Sequence, residues 1–598
     1  MISVFINKSI KDMSPDLINA AIKFLFPRGT RGDDSGILLH PVWPPDLFGA
    51  SAHIASITDC YTELLDFNAG SGIGLAVHNS REDLQCISQS MSDITSLDSY
   101  PDKHAESIQR WWSNLISVTQ DSHDIENSWQ VSLIKLLIVA DMACEGIGFF
   151  EVDEPLSSDA ENPYIVPGWI GQIYDWMSIP AAYEKFSNPG LLSSEGWFWD
   201  IQEVIRGTSP IDDDRSPPSS ACILIPAQRL CVLPKALTPV VGCTIRSLTQ
   251  NLSLHPGSDQ VKSRWYNRNF NSGFEADRES LNILVVPYPF RVSSKDFVAY
   301  PTDIETFHTF SVEPNWLNEE PIEDIVESLF NAARKEGRQI DVVIFPELAF
   351  TAERFVTVKD RIAAISNNFI LVIAGISYEG DRGYPVNASI TAYINAGANQ
   401  ASTPQKKHHR WKLDGDQVRT YCLDSELDPK EDWWENIDIS GRSVDYHVFQ
   451  KGSCFATLIC EDLARQDPCK PSIQAVGPNL IFALLMDSPQ FKNRWPGRYT
   501  LGLTEDPGSS VLTVTSLGLV ERSNWAHNGN RRTIALWGDQ TGIREIDLPV
   551  GHLGVLLGLA RVPETLYTLD NREGGGQFWQ LRTLLPLKDY IELNSSRG

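Results

Sequence analysis

From residue 281 onward the chain alternates two apolar patterns. LNILVVPYPF (281–290), DVVIFPELAF (341–350) and FILVIAGISYEG (369–380) are near-continuous apolar runs of strand length. Between them, PIEDIVESLFNAARKEG (321–337) and RFVTVKDRIAAISNN (354–368) space their apolar residues at three and four, as helices burying one face do. SCFATLICEDLA (453–464), NLIFALLMDS (479–488), SVLTVTSLGLV (510–520) and RTIALWGD (532–539) continue the strand pattern. Such a βαβαβ succession with apolar strands predicts an α/β layer fold with helices packed outside the sheet.

The N-terminal part reads differently. Segments 104–119 and 127–145 carry helical periodicity, and Trp111, Trp112 and Trp129 fall where core or interface aromatics belong. Three units follow: a mainly α-helical domain over 1–207, a linker and strand-rich connector over 208–280, and an α/β domain over 281–598. The acidic, breaker-rich run TSPIDDDRSPPSS (208–220) is the linker candidate. GSGIG (70–74) lacks the Lys-Ser/Thr of a phosphate loop and reads as a turn, as does RGDDS (31–35) despite its adjacent aspartates.

Composition narrows the partners. A formal charge of −27 over 598 residues argues against nucleic acid and acidic membranes, and favours neutral or cationic small molecules or protein. The ten cysteines are scattered without a CxxC pair, which argues against structural zinc and a disulfide framework. MISVFINKSIKDMS has no signal-peptide pattern, and no run approaches ~18 apolar residues, so a soluble, reducing, cytoplasmic setting is expected.

Three segments carry chemistry. Glu347 follows an apolar strand and a proline, where burial would raise its carboxyl toward a useful general base. Cys460 ends another apolar strand at a strand-to-helix turn, where helix-start amides and a lysine can activate a thiol. The basic segment KKHHRWKLDGDQ offers Lys406, Lys407, Arg410 and Lys412 to hold the negative charge that forms when a thiol attacks an amide or nitrile carbon. His408 and His409, being adjacent, would point to opposite sides of a strand and make a poor metal pair.

FPEL after a β-rich run, then a K-x-H element, then C-E-D after another β-rich run, resembles the Glu-Lys-Cys triad of the nitrilase or carbon–nitrogen hydrolase superfamily. The C-E-D element is similar to the glutaminase-type branch, as in glutamine-dependent NAD synthetases. The resemblance runs by motif order through about residues 280–562, including VIAGISYEG, NASITAYINAG and RWPGRYT. It implies an αββα sandwich, no cofactor and no metal, with Glu347 as base, Lys407 as stabiliser of the tetrahedral intermediate and Cys460 as nucleophile. Lys407 is preferred to Lys406 and Lys412 because K-H-H then matches K-x-H; for the family's second glutamate, Glu426, Glu431 and Glu435 all remain open. Glu461, Asp487, Ser488 and Gln490 are the candidate substrate contacts.

The resulting expectation is a hydrolase of non-peptide amides or nitriles, assembled as a homo-oligomer. A looser similarity links the chain to the nitrilase portions of bacterial defence-associated reverse-transcriptase proteins, which would imply an antiviral role. The competing expectation is an oligomeric scaffold or regulator, non-catalytic or gated by a protein partner.

Overall fold

The computed structural model describes residues 15–588 except 31–35, 66–71, 93–101, 120–124, 147–219, 240–243, 258–260, 268–278, 303–306 and a few single or paired positions. RGDDS, the linker run up to Ser219, and Gly70 and Ser71 of GSGIG therefore lie outside the described residues. Among the described residues, no helix is long and apolar enough to cross a membrane.

Two sheets face each other. The first has nine strands, with the order 398–401, 385–395, 370–379, 342–344, 280–285, 552–567, 573–588; two short strands, 350–351 and 405–406, attach beside it. The second has seven, ordered 542–547, 533–539, 510–515, 480–485, 453–459, 443–450, 262–267. Strand Lys262–Asn267, from the connector, thus completes an edge of the second sheet by pairing in parallel with Ser443–Gln450.

The two-residue period of a strand sorts side chains between layers. Ile283, Val285, Val342, Ile344, Leu371 and Ile373 point toward the second sheet and meet Phe455, Phe482, Leu484 and Val514 in one core. Their neighbours Leu284, Val343 and Val372 point outward into a separate core. That outer core is closed by helix Ile322–Lys335, through Val326, Leu329, Phe330 and Ala333, and by helix Ala352–Ile365, through Phe355, Val358 and Ile362. On the far side Ile481, Ala483 and Leu485 pack with Ile473 of helix Lys470–Val476 and Leu503 of helix Trp495–Glu505. The layers read helix, sheet, sheet, helix, as the sequence resemblance implies.

One expected strand ends early. Ser510–Thr515 is a strand, but SLGLV begins helix Leu517–His527, whose N-cap Ser516 accepts the Leu519 N–H at 3.3 Å. A capping serine at the end of the apolar run breaks the strand pattern there.

The N-terminal unit is helical. Helix Trp129–Met142 is buried around nearly its whole circumference, and helices Pro44–Thr58, Arg81–Ser92 and Asp102–Ser117 surround it. Trp111, Trp112 and Trp129 sit in this core. The ribbon Leu230–Pro234/Leu252–Pro256 joins the two units, with Leu230 and Val232 facing the helices and Cys231 and Leu233 facing the second sheet's outer core. Asp141 fastens the junction. It accepts the backbone N–H groups of Gln250, Asn251 and Leu252 at 2.8–3.0 Å and pairs with Arg572 at 3.3 Å.

Candidate active site

Glu347 lies just beyond strand Val342–Ile344, in a turn that includes Leu348 at a φ of 54°. The turn is held from below by Gly375, whose N–H donates to the Pro346 carbonyl at 3.0 Å. The Glu347 carboxyl is buried, only 1% exposed. Burial pushes it above the ordinary carboxylate range, and the Glu435 carboxylate adds to the effect against the pull of Lys407.

Lys407 follows the short strand Gln405–Lys406, which pairs with Ala388 and Ser389, and its own N–H donates to the Asn387 carbonyl at 2.8 Å. Its ammonium is fully buried and donates to Glu347 Oε1 at 2.8 Å and to Glu435 Oε2 at 2.7 Å. Burial alone would lower its pKa; the Glu347 and Glu435 carboxylates outweigh that and hold the lysine charged. Glu435 ends the strand Trp433–Glu435 of a small four-stranded sheet, and the Trp411 N–H donates to its Oε2 at 2.9 Å. Asn387 closes the ring, donating from Nδ2 to Glu347 Oε1 at 2.8 Å and to Glu435 Oε1 at 2.9 Å.

Cys460 ends strand Ser453–Ile459 and opens the single helical turn Glu461–Ala464. Its N–H still donates to Leu484 of the neighbouring strand at 2.9 Å, yet its φ is 45° and its ψ −109°. A non-glycine residue there carries strain on the order of 1–3 kcal/mol, kept only where the surroundings fix it. Burial pushes the thiol well above its ordinary pKa; Glu347, Glu461 and Asp487 add to the rise and Lys407 opposes it. The side chain is therefore a neutral thiol at rest, within electrostatic reach of Lys407 and Glu347.

The two other lysines of the basic segment are engaged elsewhere. Lys406 pairs with Asp438 at 2.9 Å and Lys412 with Asp432 at 2.6 Å. Of the three open glutamates, Glu431 pairs with His308 at 3.2 Å, Glu426 is exposed, and Glu435 alone joins Lys407. His408 and His409 do diverge, toward the Ser443 carbonyl and Asp462 respectively. Among the described residues, no group of three or more His, Cys, Asp or Glu is placed to hold a metal ion.

The candidate substrate contacts separate by what they touch. Asp487 is near enough to Cys460 to raise its pKa, and its carboxylate receives Tyr421 Oη at 2.7 Å and two Arg494 nitrogens at 2.9 and 3.0 Å. Gln490 is fully buried, donating to Asp487 and to the Ser488 carbonyl and accepting from Thr513. Ser488 is buried beside them, and Glu461 pairs with Arg465 at 2.8 Å.

This arrangement can be set beside known proteins. No protein-family profile matches the chain, and no curated protein does. Several solved structures are similar to it at low identity. A glutamine-dependent NAD+ synthetase from Acinetobacter baumannii is 12% identical with a TM-score of 0.28, over 47% of this chain and 45% of that one. An amidase from Nesterenkonia sp. is 11% identical with a TM-score of 0.25, over 54% of this chain and 98% of that one. Nit3 of Saccharomyces cerevisiae, a member of branch 10 of the nitrilase superfamily, is 11% identical with a TM-score of 0.26, over 55% of this chain and 96% of that one. This chain thus spans less than half the length of the NAD+ synthetase.

Sequence reasoning did not single out Asn387, Tyr421 or Arg494. Asn387 carries no distinct signal, since strand PVNASITAYIN alternates it with Ser389 and Thr391. Tyr421 has none, because it stands 66 residues from Asp487; Arg494, only seven residues from Asp487, lies in the RWPGRYT segment, but nothing in the pattern sets it apart from its neighbours.

Proposed function

We propose that the chain hydrolyses a carbon–nitrogen bond of an amide or nitrile through a covalent Cys460 intermediate. The observation that carries this reading is the buried ammonium of Lys407, held between Glu347 and Glu435 within electrostatic reach of the Cys460 thiol. A lysine locked between two carboxylates is costly to bury, and such an arrangement fits a task that needs a fixed positive charge.

The steps follow from proton accounting. Glu347 Oε1 is occupied by Lys407 and Asn387, whereas buried Oε2 has no hydrogen-bond partner among the described residues. Oε2 takes the thiol proton as Sγ attacks the amide carbon. The thiol needs that base, since burial and the nearby carboxylates keep it protonated. An ammonium has three N–H donors. Two of those of Lys407 are spent on glutamates, which leaves the third for the oxygen that becomes negative in the tetrahedral intermediate. Glu347 returns its proton to the departing nitrogen, so ammonia or an amine leaves and a thioester remains. Water, deprotonated by the same carboxylate, then releases the acid and restores the thiol. With a nitrile, the proton held by Glu347 goes to the nitrile nitrogen and the first adduct is a thioimidate; one water adds to it and ammonia leaves to give the same thioester, which a second water hydrolyses.

Intact-mass spectrometry after incubation with a mixed library of amides and nitriles tests the reading. The expected result is an acyl or thioimidate mass increase on the wild type and none on Cys460→Ala. An adduct that survives Cys460→Ala, or turnover of a verified substrate by that variant at the wild-type rate, sinks it.

A further inference from the structure

We infer that Asn387 is a positioning residue that, together with Lys407, occupies Oε1 of Glu347 and so leaves Oε2 to receive the thiol proton; the inference rests on the reading of Glu347 as base and Cys460 as nucleophile. Asn387 is 1% exposed and lies in strand Pro385–Asn395, one residue before Ala388, which pairs with Lys406. Its Nδ2 carries two hydrogens. One goes to Glu347 Oε1 at 2.8 Å and the other to Glu435 Oε1 at 2.9 Å. Both acceptors are carboxylates, so only the nitrogen can face them, and the amide orientation follows from chemistry. Asn387 Oδ1, on the other side, has no hydrogen-bond partner among the described residues.

The consequence lies in where protons can sit. Glu347 Oε1 accepts from both Lys407 and Asn387, and Glu435 is engaged on both oxygens, Oε1 by Asn387 and Oε2 by Lys407 and Trp411. A proton on any of these three oxygens would displace a donor already pointing at it. Glu347 Oε2 is the one carboxylate oxygen of the pair without such a donor, so the thiol proton goes there. Asn387 does this without charge. A second lysine in its place would satisfy the same oxygens but would weaken the base.

The backbone gives a clean experiment. The bond from the Lys407 N–H to Asn387 uses the main-chain carbonyl, so substitutions at 387 leave it in place. The measurement is the rate of iodoacetamide alkylation at Cys460 against pH, read by mass spectrometry on the full-length chain. It is made for wild type, Asn387→Ala, Asn387→Asp and Glu347→Gln, and needs no identified substrate.

Loss of the donor removes stabilisation of the Glu347 carboxylate. In Asn387→Ala the rate should therefore fall on the order of tenfold near neutral pH, its midpoint should move to higher pH, and it should rejoin wild type in alkali. Asn387→Asp, which supplies an acceptor where a donor is needed, should fall further. A wild-type midpoint in Asn387→Ala overturns the inference, and so does a change of equal size at every pH, which would signal loosened packing. If Glu347→Gln alkylates like wild type, Glu347 is not the base, and the failure belongs to the proposed function and takes this inference with it.

Discussion

Gly375 and Glu347 stand in backbone contact across two elements of the first sheet. A Cβ built on Gly375 would lie 2.5 Å from the Glu347 Cα and 2.6 Å from the Leu348 nitrogen, closer than any side chain can tolerate. Strand Ile370–Glu379 therefore supports the base's turn from beneath, and only a residue without a side chain fits. Gly375→Ala should push the turn outward. Overpacking of this kind costs about 1–3 kcal/mol, visible as a lower urea midpoint at unchanged m-value. Alkylation of Cys460 should slow as well, because Glu347 is displaced from the thiol. Unchanged stability and reactivity together would show that the turn shifts freely.

The raised carboxyl of Glu347 makes a prediction about pH. Its base role needs the ionised form, so the acid limb of Cys460 reactivity should lie above the range of an ordinary carboxylate. Stability should move the opposite way. The folded protein holds this proton more tightly than the unfolded chain does, so between the ordinary carboxylate value and the raised folded one, unfolding releases a proton. Stability then falls as pH rises through that window. Glu347→Gln should remove this contribution while abolishing base-assisted alkylation. Urea titrations across the acid range, compared with wild type, measure the difference.

Lys407→Met tests how the buried charges are balanced. It leaves Glu347 and Glu435 facing each other without their shared cation, and breaking a buried ion pair in this way costs about 3–5 kcal/mol. Adding Glu435→Gln removes one of the stranded carboxylates. The double variant should recover part of the lost stability by urea denaturation and none of the lost reactivity. Additive losses in the double variant would mean that the two residues do not act as one unit.

Much of this was legible in the sequence, for identifiable reasons. Ile283, Val285, Val342, Ile344, Leu371 and Ile373 obey a period of two inside runs too apolar to be anything but buried, and helix Ile322–Lys335 shows its stripe directly. Strand-end positions likewise marked Glu347 and Cys460. The choice among Glu426, Glu431 and Glu435 was not legible, because it depends on a parallel pairing between Trp433–Glu435 and His308–Val312, more than a hundred residues away. Nor was the engagement of Asp487. Its partner Tyr421 lies 66 residues away and is brought in by the packing of a separate element, of which local pattern carries no trace.

The link between the nucleophile and the lysine offers a last test. Asp462 is two residues beyond Cys460, and both its oxygens accept the His408 N–H, at 3.1 and 3.0 Å, while Oδ1 also accepts from His409 Nδ1 at 2.9 Å. It thus ties the turn that carries the thiol to the peptide immediately after Lys407. Asp462→Ala strands a buried N–H, at a cost of about 1–3 kcal/mol, and frees the two segments to move relative to each other. A misplacement on the order of 1 Å can cost about a hundredfold in rate. The expected outcome is a loss of Cys460 reactivity larger than the loss of stability would explain, with Asp462→Asn intermediate because its amide oxygen can still accept the His408 N–H. If Asp462→Ala loses stability while Cys460 reacts at the wild-type rate, the aspartate serves the fold alone, and Lys407 is held in register by its own bonds to Glu347, Glu435 and the Asn387 carbonyl.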